Sequence, residues 1–155
     1  MENNNSNNNI YHLNKIKVFS EQILNDLGPA YKEHIYVNAM CVHLHNEQYM
    51  FRNEVIVPIN YMGVQLGYER ADIVIYGPIK CIIEFKSQTQ SLSKKEMIQL
   101  NKYLKNLDIR YGILINFGNL NGKLEYKLID SLETVKETKE TKETKEMEKS
   151  SITID

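Results

Sequence analysis

The chain has 155 residues with 19 basic and 20 acidic side chains, a formal net charge of −1. This length suits one domain with its own core, and the near-zero charge excludes a bulk attraction to nucleic acid, so any such contact needs a local patch. No apolar run approaches the roughly 20 residues of a membrane span, so we expect no membrane contact. The N-terminus lacks a signal-peptide pattern, so we expect an intracellular protein of the cytoplasm or nucleus.

Both ends of the chain have low-complexity sequences. Residues 1–9 are mostly asparagine and cannot bury apolar surface, so we expect a disordered leader. Residues 132–155 carry a repeated Lys-Glu-Thr unit whose period of three fits neither a helix nor a heptad. We expect this tail to be disordered or a solvated helix without chemistry, and a candidate docking segment for a protein partner. A single domain over residues 10–131 remains.

Two helices are predicted first. Apolar residues spaced from Leu13 to Leu27 indicate an amphipathic helix, and Gly28 is a natural residue to end it. A second helix is predicted from about Ala30 to Asn46. On that helix Glu33 is aligned with an apolar stripe. Its carboxylate either complements the positive end of its own helix or points to a functional site, and the residues leave both open. The stripe consists of Tyr36, Val37, Met40 and Leu44.

The stretch from Arg70 to Ser87 predicts an antiparallel hairpin around a Gly-Pro turn. Charged residues interrupt its apolar strands, and a buried charge costs several kcal/mol unless it is paired. Glu84 and Lys86 share one face because side chains alternate along a strand. Asp72 joins them only if the loop has an odd number of residues, as with a loop of residues 77–79, since a one-residue slip reverses the face.

In that register two carboxylates converge beside an ammonium group. Such a pair suits a hard divalent ion such as Mg²⁺ or Mn²⁺. Lys86 is then able to orient or deprotonate an attacking water, or to stabilise charge on a phosphate. The alternative is a surface hairpin in which Lys86 forms one salt bridge with either Asp72 or Glu84.

Before this hairpin, Glu54 to Tyr61 alternates as a strand, and Pro58 suggests an edge or bulge position. After it, Ser93 and Glu96 form a capping box that begins a third helix. Two further strands are predicted from Arg110 to Phe117 and from Lys123 to Ile129.

Gln99 and Tyr103 lie one turn apart on the third helix, beside its apolar stripe. Their amide and phenol are placed to hydrogen-bond a phosphate, a water or Lys86. The alternative is an ordinary boundary face between the core and solvent.

Several of these residues resemble known motifs. Asp72 followed by Glu84-Phe85-Lys86 resembles the Asp…Glu-x-Lys signature of the PD-(D/E)XK nuclease superfamily. Ala30 to Tyr36 resembles the GxxExxY segment of one small family within it, with alanine in place of the glycine. Gln99 to Tyr103 is similar to the QxxxY motif in the nuclease domains of bacterial recombination helicase–nucleases. The likeness runs in consistent order over roughly residues 14–130.

The resemblance implies an α/β fold, a PD-(D/E)XK nuclease-like mixed β-sheet flanked by α-helices. It implies a metal-dependent nuclease that hydrolyses phosphodiester bonds of DNA with low sequence specificity. The alternative is a catalytically inactive nuclease-like fold that binds nucleic acid or protein. The oligomeric state stays open. The implied metal ligands are Asp72, Glu84 and Glu33, and the further catalytic residues are Lys86, Gln99 and Tyr103. Candidate phosphate contacts are Arg70, Lys80, Lys94, Lys95 and Lys102.

Overall fold

The computed structural model describes the backbone of residues 2–133 and the side chains of residues 6–133. The predictions for residues 134–155 lie outside this part of the chain. None of the helices within residues 2–133 is long and apolar enough to cross a membrane. The elements in chain order are α1 (Glu2–Leu27), α2 (Glu33–Asn46), β1 (Met50–Tyr61), β2 (Val64–Gly77), β3 (Cys81–Lys86), α3 (Lys94–Leu107), β4 (Tyr111–Asn116) and β5 (Glu125–Asp130).

The five strands form one mixed sheet in the order β1-β2-β3-β4-β5. Neighbouring strands are antiparallel except β3 and β4, which are parallel because α3 crosses between them. One hydrophobic cluster joins α1 and α2 to one face of the sheet, and a second joins α3 to the other face. The predicted α/β fold, a mixed sheet flanked by helices, is confirmed.

The first helix differs from the prediction at its start. It begins at Glu2, so the Asn-rich segment forms its first turns instead of a disordered leader. The apolar side chains from Leu13 to Ile23 that face the core anchor the helix. Once a helix is nucleated, each added residue gains a backbone hydrogen bond at little cost. The side chains of residues 6–8 are exposed.

The second helix begins at Glu33, three residues later than predicted. Ala30 has a φ of 73°, a left-handed conformation that is incompatible with a helix. The buried Tyr36 hydroxyl holds this connector, because it donates to the carbonyl of Gly28 at 2.8 Å and accepts from the N–H of Tyr31 at 3.0 Å. The predicted apolar stripe of α2 is buried as expected.

The remaining elements match the predictions closely. β1 is an edge strand, which agrees with Pro58, and it begins at Met50 rather than at Glu54. The capping box of α3 is present, with Glu96 accepting from the Ser93 backbone N–H at 2.8 Å.

The strands separate in the middle of the sheet. Pairing between β2 and β3 runs only as far as Ile73 opposite Ile83. The β1–β2 pairing continues away from this point to a turn at Met62-Gly63, while the β3–β4 pairing continues to Lys86. We call the opening between β2 and β3 the fork.

Candidate active site

The register of β2 and β3 decides whether the two carboxylates meet. Val74 pairs with Ile82, which places Asp72 opposite Glu84 at the base of the fork. The loop between the strands therefore has the odd number of residues that the sequence hypothesis required.

The two carboxylates are held by each other's strands. The backbone N–H of Asp72 donates to Glu84 Oε1 at 3.0 Å, and the N–H of Phe85 donates to Asp72 Oδ2 at 2.8 Å. These side-chain bonds begin where the β2–β3 pairing ends. They satisfy backbone donors that the diverging strands would otherwise leave unpaired.

Both carboxyl groups resist ionisation. Burial raises the pKa of Glu84 to about 8, and the charge of Asp72 adds to this effect. Burial also raises the pKa of Asp72, while its hydrogen bond from Phe85 opposes that shift. Glu84 is only 4% exposed. Asp72 is half-buried, and two adjacent carboxyl groups of this kind favour a shared proton or a bound cation.

Lys86 lies two residues after Glu84 on β3, so the two side chains share one face of the strand. Its positive charge lowers the pKa of both Asp72 and Glu84, so it acts on the pair. The alternative of a surface hairpin with a Lys86 salt bridge is wrong, because Glu84 is buried and the ion pairs among residues 6–133 do not include Lys86. The ammonium group is thus beside the carboxylates without being bound to either.

Glu33 lies across a cleft of about 620 Å³ from Asp72. Its charge raises the pKa of both Asp72 and Glu84, which indicates that it is within electrostatic reach of the pair. Its side chain is exposed in the first turn of α2. The two sequence interpretations are therefore compatible, since Glu33 both begins a helix and faces the cleft.

Tyr103 and Gln99 approach from the opposite side of the sheet. Gln99 Nε2 donates to the Tyr103 hydroxyl at 2.7 Å. Tyr103 is 1% exposed and belongs to the α3 core cluster, so it does not lie on the ordinary boundary face of the alternative interpretation. Burial raises the pKa of Tyr103, as do a hydrogen bond with Glu69 and the charge of Glu84. Neither Gln99 nor Tyr103 lines the cleft beside Asp72.

Two cleft residues of β1, Asn53 and Glu54, are not among the site residues predicted from the sequence. Glu54 has a φ of 54°, raises the pKa of Asp72 and binds Arg70 in an ion pair of 2.9 Å. In the sequence, the only feature that points to Glu54 as a site residue is its acidic side chain at the start of a predicted apolar strand. Arg70, a candidate phosphate contact, is thus already engaged by a carboxylate.

Asn116, which fixes the segment after Lys86, is also not among the site residues predicted from the sequence. This side chain is 0% exposed, and it lies opposite Lys86 in the β3–β4 register. Its oxygen accepts from the N–H groups of Gln88 and Gly118, and its nitrogen donates to the carbonyls of Gln88 and Gln90. Three of these four hydrogen bonds hold the β3–α3 connector, and the fourth holds Gly118 after β4.

The donor set at the fork fits a divalent cation of the hard class. Asp72 and Glu84 provide carboxylate oxygens, which Mg²⁺ prefers, and their raised pKa values mark a site where positive charge is favoured. Within residues 2–133, no group of three His, Cys, Asp or Glu side chains is arranged to hold a metal. The geometry therefore assembles two of the three implied ligands, and Glu33 stays on the far side of the cleft.

Comparison with known proteins agrees with this geometry. A family model described as the PD-(D/E)XK nuclease superfamily matches residues 12–129. The chain belongs to the PD-(D/E)XK nuclease superfamily. PD-(D/E)XK nucleases generally use divalent metals.

A solved structure shares this fold. The chain is similar to the crystal structure of SSO0001 with 22% identity and a TM-score of 0.50, and the match covers 63% of this chain. It covers 50% of the SSO0001 chain, so the similarity spans only half of that protein. At this identity the likeness supports the fold alone. No curated protein matches the chain.

Proposed function

We propose that this PD-(D/E)XK chain is a Mg²⁺-dependent nuclease that hydrolyses phosphodiester bonds of DNA with low sequence specificity. One observation carries the proposal: Asp72 and Glu84 meet at the fork, with Lys86 beside them. In this assignment Asp72 and Glu84 hold the ion, the Phe85 carbonyl is a further candidate ligand, and Glu33 approaches from α2.

The ion would polarise the phosphate and lower the pKa of a bound water. The chain's own residues supply the rest. Lys86 adds a positive charge that stabilises negative charge on the phosphate and orients the attacking water. The cleft is open along β1 and α2, so an extended nucleic-acid strand has access to Asp72.

Gln99 and Tyr103 are proposed to act from the α3 side. Their mutual hydrogen bond and the electrostatic contact of Tyr103 with Glu84 support a role in fixing the Glu84 carboxylate. Because Tyr103 is buried, we assign it to positioning rather than to contact with the phosphate.

We further propose that the chain belongs to the GxxExxY family. The segment from Ala30 to Tyr36 supports this assignment, since Ala30 adopts a φ of 73° at the place where the motif has glycine. Glycine is the residue that takes this conformation without steric cost.

The test is cleavage of end-labelled DNA by the full chain with Mg²⁺, with Mn²⁺ and with EDTA. We expect Asp72→Asn and Lys86→Ala each to lower the rate by at least about 100-fold, the range for loss of a group that stabilises a transition state. Lys105→Ala is the matched control, because it removes an exposed lysine at the far end of α3.

The same assay, repeated with RNA of equal length, decides the nucleic acid class. A wild type no faster than Asp72→Asn or Lys86→Ala would overturn the nuclease proposal. If calorimetry then detected binding of Mg²⁺ or DNA, the inactive binding module would be the better description.

A further inference from the structure

Glu54 has a strained backbone at the point where β1 changes face. Phe51 packs against the cluster of α1 and α2, whereas Val55 packs against the α3 cluster. Residues four apart on a strand ordinarily face the same side, because side chains alternate. A residue between them therefore reverses the alternation. Glu54 has a φ of 54°, a left-handed conformation that a residue with a Cβ rarely adopts.

This reversal brings two consecutive residues to one side of β1. Asn53 and Glu54 both line the cleft beside Asp72, although neighbours in a regular strand point to opposite faces. The β1–β2 register on either side of Glu54 sets it level with Asp72. Backbone strain of this kind clusters at functional sites. The strain at Glu54 thus places a carboxylate at the cleft that a regular strand would direct away from it.

Glu54 holds Arg70 at the rim of the same cleft. Arg70 Nη1 donates to Glu54 Oε2 at 2.9 Å. Ala71 packs in the α3 cluster, so the neighbouring Arg70 points to the opposite face of the sheet, where α2 and the cleft lie. Arg70 precedes Asp72 by two residues on β2, which is roughly 7 Å along a strand. This spacing is comparable to that of neighbouring phosphates along a nucleic-acid strand.

We propose that Arg70 binds a phosphate of the nucleic acid next to the one that is cleaved, and that Glu54 is a positioning residue that fixes the Arg70 guanidinium at the cleft. This inference rests on the proposed nuclease function and adds a binding contact to it. A guanidinium is planar and carries several N–H donors. Glu54 accepts from one of them, so a phosphate is able to accept from others.

A stabilising ion pair alone does not explain the strain at Glu54. Both side chains are more than half exposed, at 56% for Arg70 and 58% for Glu54. An exposed ion pair contributes little to stability, because water screens it. At the cleft, however, the pair has an electrostatic effect. Glu33 and Asp72 also line this cleft, and Arg70 offsets one of the negative charges that would repel a phosphate.

The position of Glu54 beside Asp72 also raises the possibility of a role as an ion ligand. Its carboxylate is engaged by Arg70. Within residues 2–133, no group of three His, Cys, Asp or Glu side chains is arranged to hold a metal. These observations favour the positioning of Arg70, and the experiment below separates the two roles.

The experiment measures binding of the full chain to a fluorescein-labelled single-stranded DNA oligonucleotide by anisotropy, in EDTA and over a range of salt concentrations. We expect Arg70→Ala to raise the dissociation constant by about 10-fold, as for the loss of one charge-assisted hydrogen bond. The slope of affinity against salt, on logarithmic axes, should fall by about 0.7, the value for one phosphate contact to a single strand. Arg70→Lys should keep the slope, because it retains the charge.

Glu54→Gly separates positioning from a structural role. Its thermal midpoint should stay close to that of the wild type, because relief of the strain offsets the lost ion pair. Its dissociation constant should rise by about 3-fold, within the range for loss of an exposed ion pair, because Arg70 loses its anchor. In the Arg70→Ala background, Glu54→Gly should instead lower the dissociation constant, since it then removes only a negative charge. A structural role predicts a lower thermal midpoint and weaker binding in both backgrounds.

Arg110→Ala is the matched control. Arg110 forms a comparable ion pair with Asp130 at 2.7 Å, and it precedes β4 at the end of that strand away from Asn116 and the fork. Its removal should leave the dissociation constant and the salt slope unchanged.

Several outcomes would overturn the inference. They are a wild type that does not bind the oligonucleotide, an unchanged salt slope in Arg70→Ala, and an equal loss of affinity in Arg110→Ala. Loss of Mg²⁺ binding by calorimetry in Glu54→Gly, with DNA binding unchanged, would assign Glu54 to the ion instead. Binding in EDTA needs no hydrolysis. If Arg70→Ala binds normally while the wild type cuts DNA, this inference fails and the nuclease proposal stands, whereas the expected binding changes without cleavage give the reverse.

Discussion

Asp72 and Glu84 each accept a backbone N–H from the opposite strand, which explains how a half-buried and a buried acid remain side by side. A hydrogen bond to an ionised carboxylate is stronger than one between neutral groups. It offsets only part of the cost of burial, since the pKa values of both acids stay raised. The pair is therefore destabilising to the metal-free fold and is suited to a cation.

The raised pKa values of the two acids predict a free energy of unfolding that falls as pH rises. A carboxyl group whose pKa is higher in the folded state stabilises the fold at pH values below its unfolded pKa, which is roughly 4. This stabilisation is lost as pH rises through the folded pKa, which is about 8 for Glu84. We expect the free energy of unfolding in EDTA to fall between pH 5 and 9 for the wild type, relative to Glu84→Gln. Urea denaturation across that range measures it.

The difference between the two proteins is the relevant quantity. Burial lowers the pKa of His12, so this histidine contributes in the opposite direction but equally in both proteins. Parallel pH profiles for the wild type and Glu84→Gln would contradict the prediction. Added Mg²⁺ should raise the wild-type stability more at pH 8.5 than at pH 6, because fewer protons then compete for the site.

A second residue-scale prediction concerns Ala30. A left-handed conformation costs a residue with a Cβ roughly 1–2 kcal/mol, and glycine adopts it freely at a smaller cost in unfolded-state entropy. Ala30, with a φ of 73°, therefore predicts that Ala30→Gly stabilises the fold by about 0.5 kcal/mol. Thermal and urea denaturation measure this change.

Gly28→Ala provides the reverse control. Gly28 has a φ of 76°, and an added Cβ would meet nothing within 4 Å, so only the backbone conformation is tested. We expect a loss of about 1 kcal/mol. The prediction would be refuted by Ala30→Gly and Gly28→Ala changes of the same sign.

At the scale of elements, the β3–α3 connector decides where Lys86 lies. The parallel pairing of β3 with β4 brings Asn116 level with Lys86, and the N–H of Phe117 donates to the Lys86 carbonyl at 2.9 Å. The Asn116 side chain then holds Gln88 from both sides. β4 is thus part of the support of the site, although no residue of β4 carries a motif.

Gly118 permits this close approach. A Cβ at Gly118 would lie 2.3 Å from the backbone nitrogen of Gln88, a contact that real Cβ atoms do not make. We expect Gly118→Ala to displace the connector, to lower stability by about 1–3 kcal/mol as overpacking does, and to reduce cleavage more than the loss of stability explains. Denaturation and the cleavage assay at a temperature where the variant is folded measure the two effects.

Gly67→Ala is the control for the same substitution. Gly67 lies in β2, and an added Cβ would have nothing within 4 Å. Alanine in a strand is favoured over glycine by roughly 0.5–1 kcal/mol. Equal losses of stability in Gly118→Ala and Gly67→Ala would show that the close approach at Gln88 is unimportant.

At the scale of the whole molecule, the fork results from the sheet being built of two parts. The β1–β2 hairpin and the β3–β4–β5 unit share only a short β2–β3 pairing. Beyond it the two parts diverge, and the carboxylates lie at the point of divergence. α2 reaches this point from one face with Glu33, and α3 reaches it from the other with Tyr103.

The sequence by itself determined the local features. Strand alternation placed Glu84 and Lys86 on one face, the capping box set the start of α3, and the apolar stripe predicted the buried side of α2. These features depend on contacts within a few residues, so periodicity and propensity are enough to predict them.

Only the tertiary structure decided the rest. Three features of the site depend on contacts between residues distant in sequence. They are the register that brings Asp72 to Glu84, the burial of Tyr103, and the hydrogen bonds of Asn116 to the β3–α3 connector. The start of α2 also differs, since the helix begins at Glu33 rather than at the predicted Ala30 because Tyr36 binds the preceding loop. Such contacts depend on how separate elements pack, and packing is a property of the whole chain that no local pattern encodes.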